Sequence, residues 1–510
     1  MTHCQVRHYR QTLAGLLSQL RASGLLVCYD GDEELAITHL SFDTRDLMEE
    51  TLFFCKGAHF KVDYLFAAAE NGAVAYVSET RYEDAPIPAI LVTDIRQAMS
   101  VAAAYHYRNP SDKLTTVGLT GTKGKSTTAY YVKAILDEAL AAECAVLSSI
   151  DNFDGVNREE SHLTTPEAIP LHQHFVNAVE SGLSHLVMEV SSQALKYGRV
   201  DGICFDVACL HNIGVDHISP IEHPDFEDYF AAKLKILDTC RVGCVNTDAD
   251  HADRMLAYAK ASGCRLVTYG SHPDDDVSCS QVRKDGEAIR FTVTTATFTE
   301  DFAITMPGLF NVQNALCAIA VCMTLGISVE AMKKGLLNAR AAGRMEVFAS
   351  RDGRVVALVD YAHNRMSFGA LYDSVAKEYP GKTVITVFGC PGGKAYLRRQ
   401  DLGELSGKHS SLVIITEEDS GEEPFAQIAG DIAKSVSSCG CRYEICEDRG
   451  EAIRRAICEN RGDRVILITG KGRETRQKRG TLYIDTPSDV DYVERFMAIY
   501  DEAAVGVTVG

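Results

Sequence analysis

Short apolar runs alternate with longer amphipathic stretches through most of the chain. Between residues 114 and 342 this pattern predicts strands alternating with helices, which is typical of a mostly parallel sheet covered by helices. The predicted strands are 114–119, 145–150, 184–190, 205–211, 243–246 and 265–269. Residues 287–295 and 301–306 then predict a hairpin, and residues 310–325 predict a buried helix.

A second alternation begins near residue 354 and predicts a separate Rossmann-like domain. Its predicted strands are 355–359, 383–388, 412–416, 443–446 and 465–469, followed by a last strand at 482–484 and a helix from residue 490. The first 110 residues combine a helix at 11–23 with strands at 51–55 and 73–78, and a linker at 108–113 ends this unit. We therefore predict an α/β protein of three domains, 1–110, 111–342 and 343–510.

Composition agrees with a globular protein of several domains. The 510 residues exceed what one hydrophobic core supports, and 46% of them are apolar. A net charge of −19 argues against binding to nucleic acid or to a membrane surface. The 17 cysteines are scattered through apolar runs, no run reaches the length of a membrane span, and the first residues lack a signal-peptide core. These features predict reduced thiols in a cytoplasmic protein.

The stretch VGLTGTKGKST at 117–127 reads as a strand, a glycine-containing loop and the start of a helix. In such a loop backbone N–H groups surround phosphates, Lys125 reaches the outer phosphates and Ser126 offers an oxygen to Mg²⁺. The spacing is two residues shorter at its beginning than the usual P-loop pattern. A glycine-rich turn after a Rossmann-like strand therefore remains an alternative to an ATP site.

Two acidic positions fall at the ends of predicted strands. Glu189 closes an apolar strand, and Asp216-His217 follows the next one. Parallel strands present their carboxyl ends at one edge, beside the phosphate loop, where a carboxylate can hold Mg²⁺. A helix-capping or salt-bridged carboxylate is the alternative interpretation of Glu189.

Nine short motifs occur together and in order. They are GTKGKST (121–127), TTPEA (164–168), MEVSSQAL (188–195), NIGVDH (212–217), YFAAK (229–233), FNVQNA (310–315), GRME (343–346), VDYAH (359–363) and GKGRE (470–474). Together they resemble the ATP-dependent Mur ligases of peptidoglycan synthesis over nearly the whole chain, most of all the members that add the third residue to UDP-N-acetylmuramoyl-L-Ala-D-Glu. The resemblance implies that a substrate carboxylate attacks the γ-phosphate of ATP and that an amine then displaces phosphate from the acyl phosphate.

The resemblance also implies the roles of individual residues at the ATP and Mg²⁺ sites. The implied catalytic residues are Lys125, Glu189, His217 and Lys233. Ser126 and Glu189 would hold one Mg²⁺ with His217 nearby, and a carbamylated Lys233 would help to hold a second; an ordinary helix-surface lysine is the alternative for Lys233. The implied ATP-binding residues are Gly121, Thr122, Lys123, Gly124, Lys125, Ser126, Thr127, Asn311, Asn314, Arg344, Asp360 and His363.

The substrates implied are the nucleotide-sugar dipeptide and a free diamino acid, bound by a protein that we expect to be a monomer. The resemblance assigns uridine to Ser41, Asp43, Thr44 and Arg45, the muramoyl dipeptide to Thr164, Thr165, Ser191 and Arg199, and the amino acid to Glu418, Asp419, Gly470 and Glu474. Hydroxyls and arginines suit a ligand that carries a pyrophosphate and carboxylates.

The amino acid that is added is predicted from one motif in which this sequence differs from other members of the family. Family members that use meso-diaminopimelate carry an Asp-Asn-Pro-Arg motif whose arginine pairs with the distal carboxylate of that amino acid. Here residues 416–424 read TEEDSGEEP, without arginine and rich in acids, which favours an ammonium group and therefore L-lysine or a similar diamine. A solvated acidic loop without a role in selection is the alternative.

Further departures concern the outer residues of the motifs. Lys123, Gln193 and Arg473 replace residues that are usual in the family, Asn364-Arg365 replaces Thr-Pro, and 392–395 lacks the expected acids. They leave open the same reaction with diaminopimelate or another diamino acid, and a degenerate sensor of the muramoyl nucleotide without catalysis. Because the phosphate and metal groups are intact, we expect an active ligase.

Overall fold

The computed structural model of the protein describes residues 9–57, 60–161, 163–219, 222–460 and 462–507. Three α/β units follow one another along the chain, each with its own sheet. Within the described residues, no helix is both long and apolar enough to cross a membrane. The sixteen described cysteines are all free thiols.

The first unit contains a five-stranded sheet in the order β2-β7-β6-β5-β4. Its pairs are parallel except that β2 runs antiparallel to β7. The strands are β1 (Gln11–Thr12), β2 (Leu26–Tyr29), β3 (Ala36–Ile37), β4 (His39–Ser41), β5 (Thr51–Phe54), β6 (Ala73–Ser78) and β7 (Ala89–Val92). The helices are α1 (Leu13–Ala22), α2 (Val62–Glu70) and α3 (Ile95–His106), and a 3-10 helix at Pro110–Lys113 leads into the second unit.

The central unit contains an eleven-stranded sheet in the order β11-β10-β9-β12-β8-β13-β14-β15-β16-β17-β18. The run from β9 to β16 is parallel, and antiparallel hairpins extend both ends. The strands are β8 (Thr115–Thr120), β9 (Ala145–Leu147), β10 (Asp151–Phe153), β11 (Arg158–Glu160), β12 (His185–Glu189), β13 (Phe205–Leu210), β14 (Cys240–Asn246), β15 (Arg265–Gly270), β16 (Val277–Asp285), β17 (Ala288–Thr295) and β18 (Thr299–Ile304). The helices are α4 (Lys125–Leu140), α5 (Ala168–Glu180), α6 (Ser192–Lys196), α7 (Phe226–Leu234), α8 (Ala252–Ser262), α9 (Asn311–Thr324) and α10 (Val329–Asn338), with a 3-10 turn at Lys235–Thr239.

The third unit contains a six-stranded sheet in the order β19-β20-β24-β21-β22-β23, parallel except for β19. A separate hairpin of β25 and β26 follows it. The strands are β19 (Glu346–Ala349), β20 (Val355–Asp360), β21 (Thr383–Phe388), β22 (Leu412–Ile415), β23 (Arg442–Ile445), β24 (Arg464–Thr469), β25 (Arg476–Arg479) and β26 (Leu482–Asp485). The helices are α11 (Arg365–Glu378), α12 (Leu397–His409), α13 (Phe425–Ser438), α14 (Arg449–Arg454) and α15 (Asp489–Val507), with a π-helical turn at Arg455–Glu459.

The parallel strands are apolar on both faces because helices cover both faces. In β20, Val355, Ala357 and Val359 pack into one core, and Val356 and Leu358 pack into another on the opposite side. Such strands read as continuous apolar runs rather than as alternating patterns. This burial on two sides is what made the parallel strands readable in the sequence.

The predicted long elements are found, with small shifts at their ends. The predicted helix 11–23 spans only Leu13–Ala22, because Gln11 and Thr12 pair as a strand with β3. The predicted strand 145–150 ends at Leu147, after which the chain turns into β10. Short or exposed strands such as β11, β16 and β25 were missed since they lack an apolar run. The three sheets lie within residues 26–92, 115–304 and 346–469, and the boundaries at 110/111 and 342/343 stay predictions.

The first unit packs on the second through helix α5. Ala168, Ile169 and Val176 of that helix belong to the core cluster of the first unit. At the beginning of the helix, Glu167 accepts hydrogen bonds from Lys56 of the first unit and lies 2.6 Å from Arg199 of the second. An apolar contact and a half-buried ion cluster therefore join these two units.

Candidate functional site

A cavity of about 720 Å³ lies between the central and third units. Its central wall is built from loops at the carboxyl ends of the parallel strands, where open α/β sheets bind their ligands. The opposite wall comes from the corresponding loops of the third unit. The residues predicted for the site that line this cavity are Thr122, Lys123, Gly124, Lys125, Ser126, Thr127, Thr164, Glu189, His217, Asn314, Arg344, Asp360, His363, Glu418, Asp419, Gly470 and Glu474.

The phosphate loop connects β8 to the N-terminus of α4. Gly124 precedes the helix with a φ of 86°, in the left-handed region that glycine adopts without strain. A Cβ at this position would lie 2.3 Å from the Asn314 side-chain oxygen and 2.9 Å from Nε2 of His211, so any side chain would clash. The loop thus places the free N–H groups of the first turn of α4 against the cavity, which makes it a site for anions.

Ser126, Ser149 and Glu189 form one group of oxygen atoms. The hydroxyls of Ser126 and Ser149 lie 3.0 Å apart, and Ser149 donates from its N–H (2.8 Å) and its hydroxyl (3.1 Å) to one oxygen of Glu189. Glu189 is 1% exposed. A hydroxyl beside a buried carboxylate fits Mg²⁺, which usually takes one or two carboxylates and completes its shell with water and substrate phosphates.

Among the described residues, no three histidine, cysteine or acidic side chains cluster so that they could hold a metal ion by themselves. His217 lines the same cavity, and its Nδ1 lies 2.8 Å from Oε1 of Glu222. Because a carboxylate only accepts, Nδ1 of His217 is the donor in this contact. The residues present therefore suit a metal that also binds phosphate oxygens.

Two lysines converge on one carbonyl oxygen. Lys125 and Lys233 each donate to the Gly121 carbonyl at 2.9 Å. Burial lowers the pKa of Lys125, and burial together with the nearby charge of Lys125 lowers the pKa of Lys233 well below its usual value. Lys233 is 2% exposed, so the alternative of a helix-surface lysine is wrong. A neutral amine is the form that reacts with CO₂, so the surroundings of Lys233 are compatible with carbamylation.

The third unit contributes a cation, an acid and an imidazole to the cavity. Arg344 donates to the hydroxyls of Ser126 (3.0 Å) and Ser149 (3.3 Å). Asp360 accepts from the backbone N–H groups of Met345 and Ala362, and burial raises its pKa.

His363 connects the third unit to the phosphate loop. Its Nδ1 donates to the Tyr361 carbonyl at 2.7 Å, which leaves Nε2 to accept from Lys123 at 3.0 Å. Burial lowers the pKa of His363 well below its usual value and lowers that of Lys123 to about 7, although Asp216 opposes the second shift. The ring of His363 is therefore neutral and holds the end of the Lys123 side chain.

The acidic loop after β22 is mostly neutralised by basic side chains. Arg479 donates to Glu417 at 2.9 Å, and Lys471 lies 2.9 Å from both Asp419 and Glu474. Glu418 is the exception: it faces the cavity without a comparable partner among the described residues, and burial raises its pKa to about 7. The loop is therefore not uniformly acidic, as the sequence suggested, and the carboxyl that it presents to the cavity without a partner is that of Glu418.

Gly470 is held close to this carboxyl. Its φ is 108°, and a Cβ there would lie 2.3 Å from an oxygen of Glu418. A side chain at position 470 would therefore displace Glu418 from the cavity wall.

Some predicted residues lie outside the cavity. Asn311 is buried, and its amide is occupied by the Pro307 carbonyl at 2.6 Å and by Asn314 at 2.7 Å. Thr165 accepts from the Ser191 N–H and donates to the Glu189 carbonyl, and Arg199 donates to the Thr165 carbonyl. Thr165 and Arg199 therefore support the wall behind Glu189.

The predicted uridine loop lies in the first unit, and none of its four residues lines the cavity. Its main feature is an exposed pair in which Arg45 donates to Asp43 at 2.6 Å, while the Ser41 hydroxyl donates to the Asp43 carbonyl at 3.0 Å. Thr44 is half-buried. This loop is therefore not part of the cavity that contains the phosphate loop.

Sequence reasoning missed Ser149 and Arg398. Ser149 follows strand β9 at the same sheet edge as the phosphate loop, and this position could have been read as part of the site. Arg398 lines the cavity and pairs with Asp216 at 2.7 Å. Its partner comes from a distant part of the chain, and no local signal in the sequence indicates that pairing.

Comparisons with known proteins agree with this geometry. A family model described as the Mur ligase middle domain matches residues 119–322, and one described as the Mur ligase, glutamate ligase domain matches residues 343–472. A UDP-N-acetylmuramoyl-L-alanyl-D-glutamate--L-lysine ligase from Enterococcus faecalis is 38% identical over 448 residues, covering 87% of this chain and 88% of that protein.

Solved structures share the fold. A UDP-N-acetylmuramoyl-L-alanyl-D-glutamate--2,6-diaminopimelate ligase superposes with a TM-score of 0.64 at 23% identity, over 93% of this chain and 97% of that one. MurF ligase from Thermotoga maritima in complex with ADP gives a TM-score of 0.61 at 16% identity, over 91% of this chain and 98% of that one. At these identities the likeness concerns the arrangement of the three units.

Proposed function

Because the chain belongs to the Mur ligase family, we propose that it is an ATP-dependent ligase that adds L-lysine to UDP-N-acetylmuramoyl-L-Ala-D-Glu during peptidoglycan precursor synthesis. The observation that carries this proposal is the single cavity that has a phosphate loop on one wall and the unpaired Glu418 on the other. A ligase that joins an acid to an amine through a phosphorylated intermediate needs these two environments side by side.

The proposed reaction has two steps. An oxygen of the substrate carboxylate attacks the γ-phosphorus of ATP, the bond to the β–γ bridging oxygen breaks, and ADP leaves. The free amine then attacks the carbonyl carbon of the acyl phosphate, loses a proton and expels phosphate to give the amide. The enzyme contributes positioning and charge stabilisation rather than a covalent intermediate of its own.

Residues of the central unit would stabilise the transferring phosphoryl group. Lys125 is within reach of an anion in the loop, and a phosphate there would replace the Gly121 carbonyl as its partner. Arg344 brings a second cation from the third unit to the Ser126 hydroxyl. Mg²⁺ bound by Ser126 and Glu189, with His217 and carbamylated Lys233 assisting, would neutralise phosphate oxygens when present.

Residues of the third unit would select the amine. Glu418 is the acid of this loop that faces the cavity without a partner, so it can accept a hydrogen bond from the side-chain ammonium of lysine. Asp419 and Glu474 are already paired with Lys471 and would shape the pocket. An ammonium bound at Glu418 would also relieve the cost of burying that charge.

The alternatives differ in what they need from the site. The same reaction with meso-diaminopimelate needs a cation for a distal carboxylate. Arg449, the cation that most lowers the pKa of the Glu418 carboxyl, is itself bound to Asp489 at 2.6 Å. A sensor that binds the nucleotide without catalysis does not need Lys125, Ser126 and Glu189 together at one phosphate loop. We therefore favour the lysine ligase over both.

Phosphate release tests the proposal. The purified protein, ATP, Mg²⁺ and UDP-N-acetylmuramoyl-L-Ala-D-Glu are mixed with L-lysine, L-ornithine or meso-diaminopimelate in turn, and the product is identified by mass. We expect turnover with lysine and little with diaminopimelate. Turnover with diaminopimelate alone would reject the lysine assignment, and nucleotide binding without turnover for any amine would favour the sensor.

A graft tests the charge argument in the same assay. Replacing residues 419–421 by Asn-Pro-Arg places an arginine beside Glu418 and should weaken the use of lysine. An unchanged preference would show that this loop does not select the amine. The participation of Mg²⁺, a monomeric state and a cytoplasmic location remain predictions from the sequence.

A further inference from the structure

One buried carboxylate joins the central unit to the third unit. Asp216 follows strand β13 and has a side chain that is 3% exposed. Asn364 donates to its Oδ2 at 2.6 Å, and Arg398 donates to its Oδ1 at 2.7 Å. Both partners belong to the third unit, so this single side chain receives two hydrogen bonds across the boundary.

The same carboxylate is connected to the phosphate loop. Nζ of Lys123 lies 3.7 Å from Oδ2 of Asp216 and 3.0 Å from Nε2 of His363. Lys123 thus lies between the acid of its own unit and the imidazole of the third unit. Since one carboxylate balances both Lys123 and Arg398, its removal would leave two partly buried basic groups without that counter-charge.

The partners in the third unit come from the starts of two helices. Asn364 is the N-cap of α11, where its side-chain oxygen accepts from the Ser367 N–H at 3.1 Å while its nitrogen points to Asp216. Arg398 lies in the first turn of α12. The loops before these helices line the cavity, so fixing the helix starts fixes the position of the third unit at the cavity.

We infer that Asp216 is a positioning residue that holds the third unit in register with the phosphate loop. It does not line the cavity itself and acts through Asn364, Arg398 and Lys123. The kinetic part of this inference rests on the proposed ligase reaction. A misplacement of about 1 Å between two reacting groups can lower a rate by about a hundredfold, so loss of this contact should affect kcat.

An exchange of the Asp216 and Asn364 side chains gives the sharpest test. Asn364→Asp keeps the helix cap but turns a donor into a second carboxylate opposite Asp216, and Asp216→Asn removes the central charge. Each single change should lower kcat by about a hundredfold while the affinity for nucleotide changes little. The double variant restores one charge and one donor, and it should recover activity to within about tenfold of the wild type.

Two further variants control for folding and for general loss of charge. Arg398→Met removes one of the two hydrogen bonds across the boundary and leaves the Asp216–Asn364 contact. We therefore expect kcat to fall by about tenfold, less than in either single exchange variant. Arg365→Met, at the next position after Asn364, removes an arginine whose 2.9 Å pair with Asp401 stays within the third unit. The Arg365 variant should retain the wild-type kcat. Circular dichroism and melting curves establish that each variant is folded.

Small-angle X-ray scattering measures the arrangement of the units without any substrate. The single exchange variants should have a larger radius of gyration than the wild type, and the double variant should return to the wild-type value. Wild-type kcat in a folded Asn364→Asp variant, or a double variant no faster than the slower single variant, would overturn the inference. If the wild type itself joins no amine, the proposed function fails, whereas the scattering comparison still decides whether Asp216 holds the two units together.

Discussion

The lysines of the central wall and Glu418 of the opposite wall are buried charges of opposite sign. The central wall contains Lys123 and Lys125, with Lys233 behind them, and the wall of the third unit contains Glu418 beside a neutralised Asp419 and Glu474. Burial lowers the pKa values of the lysines and raises that of Glu418 to about 7. One physical cause, the loss of solvation, therefore shifts both sets towards their neutral forms.

The difference between the walls indicates what each is missing. Buried lysines are stabilised by an anion, and a buried glutamate is stabilised by a cation. The central wall is thus complete only with phosphates, and the opposite wall only with an ammonium. Replacing a lysine of the central wall should therefore impair phosphate binding, and replacing Glu418 should impair ammonium binding.

The largest effect is expected for Lys125→Ala. Removing the cation nearest the phosphate loop should lower kcat by about a thousandfold, because it stabilises charge on the transferring phosphoryl group. Steady-state phosphate release measures this loss. Lys334→Ala removes an exposed lysine of the same unit, 68% exposed and paired with Glu138, and should keep wild-type kcat. Equal losses in both variants would contradict the role of Lys125.

Lys233→Ala should lower kcat by about a hundredfold if a carbamate on this side chain supplies the missing anion of the central wall. Short carboxylic acids such as acetate should restore part of the activity. Intact-protein mass spectrometry at high bicarbonate should detect one added CO₂ in the wild type and not in the variant. Normal activity in Lys233→Ala would reject the carbamate.

Glu418→Gln should weaken the binding of lysine at the wall of the third unit and leave the binding of ATP at the central wall unchanged. Losing the charged partner of an ammonium costs about 2 kcal/mol, which is about a thirtyfold increase in KM for lysine with little change in KM for ATP. In the wild type, KM for lysine should rise as pH falls through about 7, where Glu418 becomes protonated. Glu422→Gln, an exposed acid of the same loop, is the matched control. A pH-independent KM in the wild type would count against this role.

The smallest effect concerns stability in the absence of substrates. The Glu418 carboxyl binds its proton up to about pH 7 in the folded chain but only to its ordinary 4.5 when unfolded. Between these values the folded state binds more protons, so the free energy of unfolding decreases as pH rises. At pH 8, Glu418→Gln should therefore gain about 1 kcal/mol and melt about 2–4 °C higher than the wild type. A lower melting temperature would contradict the assigned burial cost.

The architecture was predictable where the chain buries both faces of a strand. Strands β8, β21 and β24 are buried over most of their length, and their predicted limits agree with the structure to within one residue. The phosphate loop was predictable since its chemistry is local: Gly124, Lys125 and Ser126 are consecutive and need no distant partner. The family was recognised for the same reason, from short motifs.

Pairing between distant residues was not predictable. The sequence indicated an acidic loop at 416–424, but Arg479 and Lys471 neutralise most of it, and both come from more than fifty residues later in the chain. Likewise nothing near Asp216 indicated Asn364 or Arg398. The first contacts depend on the folding of the third unit and the second on how two units lie against each other, and local patterns encode neither.

Lys471 has a consequence for how this pocket can evolve. Its ammonium lies between Asp419 and Glu474, so each of those acids depends on the same cation. A mutation that removes one acid changes the charge balance felt by the other, and a mutation of the lysine leaves both without their partner. A change of amine specificity that alters Asp419 or Glu474 therefore also alters the charge balance around Lys471.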